Sequence, residues 1–232
     1  MKPRSLVLLS GGLDSVVNFR QAMIETEVLD ILTFNYEQKA VAREIEATEL
    51  IAEKFGVHHT ILSLDWLAQM DTGLTRGNIP KFDECRLDDA DYAGETAKAV
   101  WVPNRNGVMI NVAAAYADSR KIDMIVVGFN REEGATFPDN TPEFVERVNA
   151  ALEYSTLAKP KVTCWTLAMD KKEIVRLGID NGAPFEYVWS CYHSGKEMCG
   201  ECESCRRLKR ALDQNAWFDE FQRRNRWKFK KG

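Results

Sequence analysis

The sequence predicts a doubly wound α/β fold: a mainly parallel sheet, with a cysteine-rich helical appendage at the C-terminal end. Three observations predict it. Short apolar, β-branched runs alternate with helix-length amphipathic runs, the pattern of a sheet covered on both faces. A glycine-rich turn, Ser10-Gly11-Gly12, follows the first apolar run, Ser5–Leu9, and opens a helical one. Four of the six cysteines crowd into positions 191–205.

The elements follow in order. Leu6–Leu9 reads as the first strand and Leu13–Ile24 as a helix. Val28–Phe34 is a second strand. Ala40–Phe55 carries apolar residues at helical spacing, and Gly56 is placed to stop it in a left-handed turn. His59–Leu64 reads as a third strand, with His58 and His59 structural. A long helix around Val108–Ser119 precedes a fourth strand, Met124–Phe129, and Val162–Leu167 reads as a further one. Thr141-Pro142-Glu143 starts a helix with a cap before proline. Asp170 and Glu173 have capping-box spacing. Residues 66–102 lack sustained periodicity and suggest a mobile segment over the active site. The expected division is a nucleotide-binding domain over 1–185 and a cysteine-rich helical segment over 186–232.

Composition sets limits. At 232 residues and 45% hydrophobic, the chain can bury a large core without disulfides. A net charge of −4 argues against a broad nucleic-acid surface. No apolar run approaches the ~20 residues of a membrane span, and no signal-peptide profile opens the chain. A cytoplasmic protein is expected. After Arg206, Lys and Arg outnumber Asp and Glu, with Trp217, Phe218, Phe221, Trp227 and Phe229 interleaved. That pattern suits a terminal amphipathic helix docked by its aromatics, with contact to RNA or a partner as the competing reading.

The turn carries the chemistry. Glycines after a buried strand let the backbone bend tightly, so that free amides at a helix N-terminus converge on anionic oxygens. Neither Gly-x-x-x-x-Gly-Lys-Ser/Thr nor Gly-x-Gly-x-x-Gly is present there. Ser10-Gly11-Gly12-Leu13-Asp14-Ser15 instead resembles the SGGxDS pyrophosphate loop of N-type ATP pyrophosphatases, the PP-loop superfamily. Cys191, Cys199, Cys202 and Cys205 have the short gaps that aim four thiolates at one point, which suits tetrahedral zinc. An iron–sulfur cluster competes; zinc is preferred because four thiolates leave no iron open and need no redox partner. Cys164 reads as core packing and His193 as a loop residue, while Cys85 has no assignment.

Taken with the cysteines, the loop resembles the 7-cyano-7-deazaguanine synthase (QueC) family over nearly the whole chain. The similarity includes Leu74-Thr75-Arg76, Ile79-Pro80 and Trp101 through Asn106. It continues through Gly128-Phe129-Asn130, Phe137-Pro138-Asp139, Pro142-Glu143-Phe144, Asp170-Lys171 and Cys191-Tyr192. The resemblance implies an adenine nucleotide α-hydrolase-like fold, ATP with Mg2+, Zn2+ on the four cysteines, and a homodimer. It implies adenylation of 7-carboxy-7-deazaguanine, amide formation with free ammonia, then a second adenylation and dehydration to 7-cyano-7-deazaguanine for queuosine or archaeosine synthesis. On this reading Ser10, Gly11, Gly12, Leu13, Asp14 and Ser15 hold the pyrophosphate, and Asp14 and Arg105 are catalytic. Asn104, Arg105 and Asp139 meet the substrate. Glu37 stands where the family pattern has Gly, and Phe137 and Asn140 replace its Tyr and Cys; these positions can reshape the pocket. The runner-up is a PP-loop tRNA-modifying sulfurtransferase.

Overall fold

A computed structural model describes residues 1–80 and 90–230; Cys85 lies outside them. Five strands form one sheet: β1 (Arg4–Leu8), β2 (Glu27–Asn35), β3 (His58–Ser63), β4 (Met124–Val126) and β5 (Lys161–Thr163). Their order is β3-β2-β1-β4-β5, and every pairing is parallel. The chain winds outward from β1 through β2 to β3, then crosses back to β4 and β5. The direction of winding therefore reverses between β1 and β4, and a crevice opens at the carboxyl ends of those two strands.

The helices are α1 (Leu13–Glu25), α2 (Val41–Phe55), α3 (Ala90–Val100), α4 (Arg105–Arg120), α5 (Arg131–Gly134) and α6 (Pro142–Ser155). They continue with α7 (Lys171–Asn181), α8 (Glu203–Gln214) and α9 (Phe218–Arg224). Strand residues alternate between two cores, as a pleat requires. Val7, Ile31 and Val126 pack with α1, α2, α7, α8 and α9. Leu6, Leu32 and Ile125 pack with α4 and α6 on the opposite face. Both faces are covered, as the continuous apolar strands predict.

Several local expectations hold. Gly56 ends α2 at φ 64. Thr141 Oγ1 caps α6 by accepting from the Phe144 amide, and Asp170 and Glu173 form the reciprocal capping box of α7. His58 Nδ1 lies 3.0 Å from Asp30 Oδ1 and His59 Nε2 2.8 Å from Thr33 Oγ1, so both histidines serve the sheet.

At three places the structure differs from the sequence pattern. The fourth and fifth strands are shorter than their apolar runs, because side chains replace the ladder beyond Val126. The Phe129 amide donates to Cys164 Sγ at 3.3 Å, and the Thr166 hydroxyl donates to the Phe129 carbonyl at 2.6 Å. Within 66–102, where the sequence shows no sustained periodicity, the described residues nonetheless include most of a 3₁₀ turn (Asp65–Gln69), a Thr75-centred turn and α3. Buried Leu67 and Ala68 fix the first of these. The tail holds two helices, α8 and α9, instead of one. Its aromatics are docked as expected: Phe221, Trp227 and Phe229 are buried in the first core.

Candidate active site

The crevice is built from the end of β1. Gly11 takes φ +79, and a Cβ there would lie 2.8 Å from Ala47 Cβ, so the turn needs glycine on both counts. Gly12 is the N-cap of α1 and supplies no side chain, which leaves the first amides of the helix for an anion. The Ser15 hydroxyl turns back to donate to the Gly12 carbonyl at 3.0 Å and accepts from the Ser10 amide at 3.2 Å, bracing the loop. Across the crevice, Gly128 brings β4 against this helix start. A Cβ on Gly128 would lie 2.5 Å from the Ser15 nitrogen, so only glycine permits the approach.

A buried charge cluster faces the loop. Lys171 Nζ donates to Asp14 Oδ2 at 2.7 Å and to Glu133 Oε1 at 2.8 Å. Asn130 Nδ2 donates to Asp14 Oδ2 at 3.1 Å, while Asp14 Oδ1 is buried with no hydrogen-bond partner. Burial pushes the Asp14 carboxyl up against the pull of Lys171. Burial also opposes the charge on Glu133, but Lys171 outweighs it and holds that carboxyl below its usual value. Lys171 keeps its proton more tightly than an ordinary lysine: the two carboxylates overcome its desolvation. The cluster carries two acids and one firmly held cation.

Arg105 is the first residue of α4, and its side chain turns inward. It donates to the Tyr36 hydroxyl at 3.0 Å. Burial opposes its charge, yet Tyr36, Asp139 and Glu44 hold the guanidinium protonated. Asp139 is buried, which raises its pKa against Arg105. It accepts from the Asn106 amide at 3.4 Å and from Asn140 Nδ2 at 3.0 Å.

Two joined cavities use these groups. The larger, about 240 Å³, is lined by Ser10, Gly12, Asp14, Arg105, Glu133 and Lys171, with apolar strand ends beyond them. The smaller, about 130 Å³, contains Trp101, Phe137 and Asp139, with Arg105, Glu133 and Lys171 shared between the two. The Trp101 and Phe137 rings stack on each other in this cavity, with centroids 5.6 Å apart and a 10° tilt. Of the sequence-predicted residues, Ser10, Gly12, Leu13, Asp14, Ser15 and Arg105 line the larger cavity, and Asp139 the smaller. Gly11 shapes the turn from behind. Asn104 lines neither: it is exposed, in the left-handed conformation, with its side chain folded over Gly107. Lys171, Glu133 and Asn130 carry no site role in the sequence reading. Lys171 was legible as part of the Asp170-Lys171 segment of the resemblance and as the residue after a helix cap, but nothing local marks it as buried or gives it a role.

Glu37 explains one departure in the sequence. It has φ 58, the left-handed region, where an L-residue is strained by about 1–2 kcal/mol. Its ion pair with Arg76 is 3.7 Å long and exposed on both sides, so it offsets little. Glu37→Gly is expected to raise stability by about 0.5–1 kcal/mol, read as a higher urea midpoint at unchanged slope. A lower midpoint would show that the Arg76 contact outweighs the strain.

The cysteines converge as their spacing implies. The Sγ atoms of Cys191, Cys199, Cys202 and Cys205 all lie within 4.8 Å of one another. Backbone amides donate to two of them: Cys199 to Cys191 Sγ at 3.4 Å, and Cys202 to Cys199 Sγ at 3.3 Å. Such donors stabilise thiolates, so the set fits a single thiolate-bound metal ion. The module also walls the crevice. Tyr192 and Ser204 line both cavities, and the Trp189 amide donates to the Gly11 carbonyl at 2.9 Å.

A parallel sheet with this loop at its switch point, and lysine and arginine facing it, defines an ATP-binding domain of the PP-loop class. Comparison with known proteins narrows the class: the family model of "Queuosine biosynthesis protein QueC" matches residues 4–216, and the chain belongs to that family. The 7-cyano-7-deazaguanine synthase of Pelotomaculum thermopropionicum is 47% identical over 90% of this chain and 96% of its own. That of Methanosarcina mazei is 44% identical over 90% and 93%. The solved U34-tRNA thiolase NcsA of Methanococcus maripaludis is 15% identical at a TM-score of 0.48, over 95% of this chain and 71% of that one.

Proposed function

We propose that the protein is an ATP-dependent carbon–nitrogen ligase that converts 7-carboxy-7-deazaguanine and ammonia to 7-cyano-7-deazaguanine. The observation that carries this reading is the junction of the two cavities. A space ending on the Ser10–Ser15 loop meets a second one ending on Asp139, and Arg105, Lys171 and Glu133 line both.

The chemistry follows from that junction. A carboxylate resists ammonia because its leaving group would be oxide. Attack of the substrate carboxylate on the α-phosphorus of ATP expels pyrophosphate and leaves an acyl adenylate. Ammonia adds to its carbonyl, AMP departs, and the amide forms with loss of a proton. The amide oxygen then attacks the α-phosphorus of a second ATP and expels a second pyrophosphate, and loss of AMP and of both amide protons gives the nitrile. The loop amides and Lys171 stabilise the charge that develops on the departing pyrophosphate. Arg105 pairs with the reacting carboxylate or phosphate at the junction. Asp139 accepts from the donor edge of the guanine-like ring while Trp101 and Phe137 cover its face. Asn140, in place of the family's Cys, orients Asp139, and Phe137 keeps the ring against Trp101 that Tyr would supply.

Magnesium on the nucleotide would neutralise phosphate charge, with Asp14 Oδ1 left to meet the ion or its water. Zinc is our choice for the cysteine site. Tetrahedral zinc at about 2.3 Å requires sulfurs about 3.8 Å apart, and Cys199 and Cys205 Sγ are separated by 3.9 Å. The purified protein is expected to be colourless with about one zinc per chain. Visible absorption with iron and sulfide would overturn zinc. The cytoplasmic location, free ammonia and a homodimer belong to the same reading; the dimer rests on the resemblance, since the tail's aromatics are buried.

The test is the fate of ATP. Incubation with the deazaguanine acid and ammonium is expected to release AMP and pyrophosphate only when the acid is present. Release of ADP and phosphate, or AMP formation driven by tRNA instead, would contradict the proposal.

A further inference from the structure

Lys171 is gripped at both ends by consecutive glutamates of α5. Glu133 takes the ammonium, and Glu132 Oε1 accepts from the Lys171 backbone amide at 2.9 Å. That amide is the first of α7, one of the donors a helix leaves unpaired, and a carboxylate there also meets the positive end of the helix dipole. The second Glu132 oxygen is held from the metal module. Arg207 Nη1 donates to Oε2 at 2.8 Å, and Arg210 Nη2 lies 3.4 Å from the same atom.

Arg207 stands on α8 two residues after the ligand Cys205, and α8 starts directly after Cys202. It is further fixed by Glu203, at 2.9 Å. The Arg207 and Glu132 side chains are only 13% and 19% exposed, so solvent screens their pair little. At the far end of α8, Asn215 Nδ2 donates to the Lys172 carbonyl at 3.0 Å. The helix anchored by the cysteines therefore holds the first turn of α7, from which Lys171 reaches the pyrophosphate loop.

We propose that Glu132 is a positioning residue. It bridges Arg207 of the metal module to the Lys171 backbone, so that the cysteine site sets where the Lys171 ammonium sits between Asp14 and Glu133. Glu132 lines neither cavity, so it acts through the residues it holds, Lys171 and Arg207, the latter itself on the wall of the smaller cavity. The kinetic consequence rests on the ligase reading above; the bridge itself does not.

Two readouts test it on the full-length, metal-loaded protein. In Arg207→Met and Glu132→Gln, hydrogen exchange of the 170–173 backbone is expected to speed up about tenfold while bound metal stays at the wild-type level. Their kcat for AMP release should fall about tenfold with KM for ATP within about twofold, because Lys171 acts on the developing charge. The double variant should be no slower than the worse single one, since both break one bridge. Arg207→Lys, which keeps a cation opposite Glu132, should recover at least half of the wild-type kcat. Unchanged exchange at 170–173 in the metal-loaded variants would overturn the bridge. Losses in kcat that multiply in the double variant would overturn its role in positioning. A wild-type protein that releases no AMP would remove the ligase reading instead, and the exchange result would still judge the bridge.

Discussion

Lys171→Met is expected to lower AMP formation at least about a hundredfold, equivalent to roughly 2.7 kcal/mol of transition-state stabilisation. Lys171 is the buried cation between the loop and the acids, and pyrophosphate departure places new negative charge beside it. Its removal also leaves Asp14 and Glu133 facing the crevice without their shared counter-charge. Breaking a buried pair in this way costs about 3–5 kcal/mol when the remaining charge stays ionised. Asp14 limits that cost by taking a proton, a step its burial already favours. The variant should therefore melt lower but remain folded, and a circular dichroism melt with an AMP assay separates the two effects. AMP formation within about threefold of wild type would remove Lys171 from the reaction.

The second large effect concerns the metal. Cys205→Ser is expected to abolish metal binding and to destabilise the protein by at least about 4 kcal/mol, because structural metal binding is itself folding free energy. Cys205 is fully buried, and α8 and α9 contribute Leu208, Leu212 and Phe221 to the core that also holds α1 and α7. A loosened module would carry Tyr192 and Ser204 away from both cavities, so AMP formation should fall with metal content. Strong chelation of the wild type should reproduce both losses, and readdition of zinc should reverse them. A wild-type protein that keeps its melting temperature after complete metal removal would contradict this assignment.

Much of the fold was legible because its signals are local. Continuous apolar strands, a cap at Thr141, a capping box at Asp170 and a glycine stop at Gly56 each depend on a few neighbouring residues. The loop and the cysteines were legible for the same reason, since the chemistry demands short, fixed spacing. What the sequence did not disclose depends on contacts between distant segments. Lys171 meets Asp14 across 157 positions, and Asn130 meets it across 116. No periodicity encodes such a meeting. Strand ends were overestimated because Val127–Phe129 and Cys164–Leu167 are as apolar as true strands, yet Cys164 and Thr166 satisfy their backbone instead of a ladder. Asn104, a substrate contact only by the resemblance, lies with its side chain over Gly107 at the start of α4, a placement that depends on backbone conformation and that no local pattern announces.

The central claim is that two joined cavities carry one carboxylate to a nitrile at the expense of ATP, and the mass of the product tests it most directly. The protein is incubated with 7-carboxy-7-deazaguanine, excess ATP with magnesium, and nitrogen-15 ammonium, and the heterocycle is weighed by mass spectrometry. The account predicts the nitrile carrying one labelled nitrogen, preceded at early times by the labelled amide. Recovery of the unchanged acid while ATP is consumed, or an amide that accumulates and never dehydrates, would contradict it.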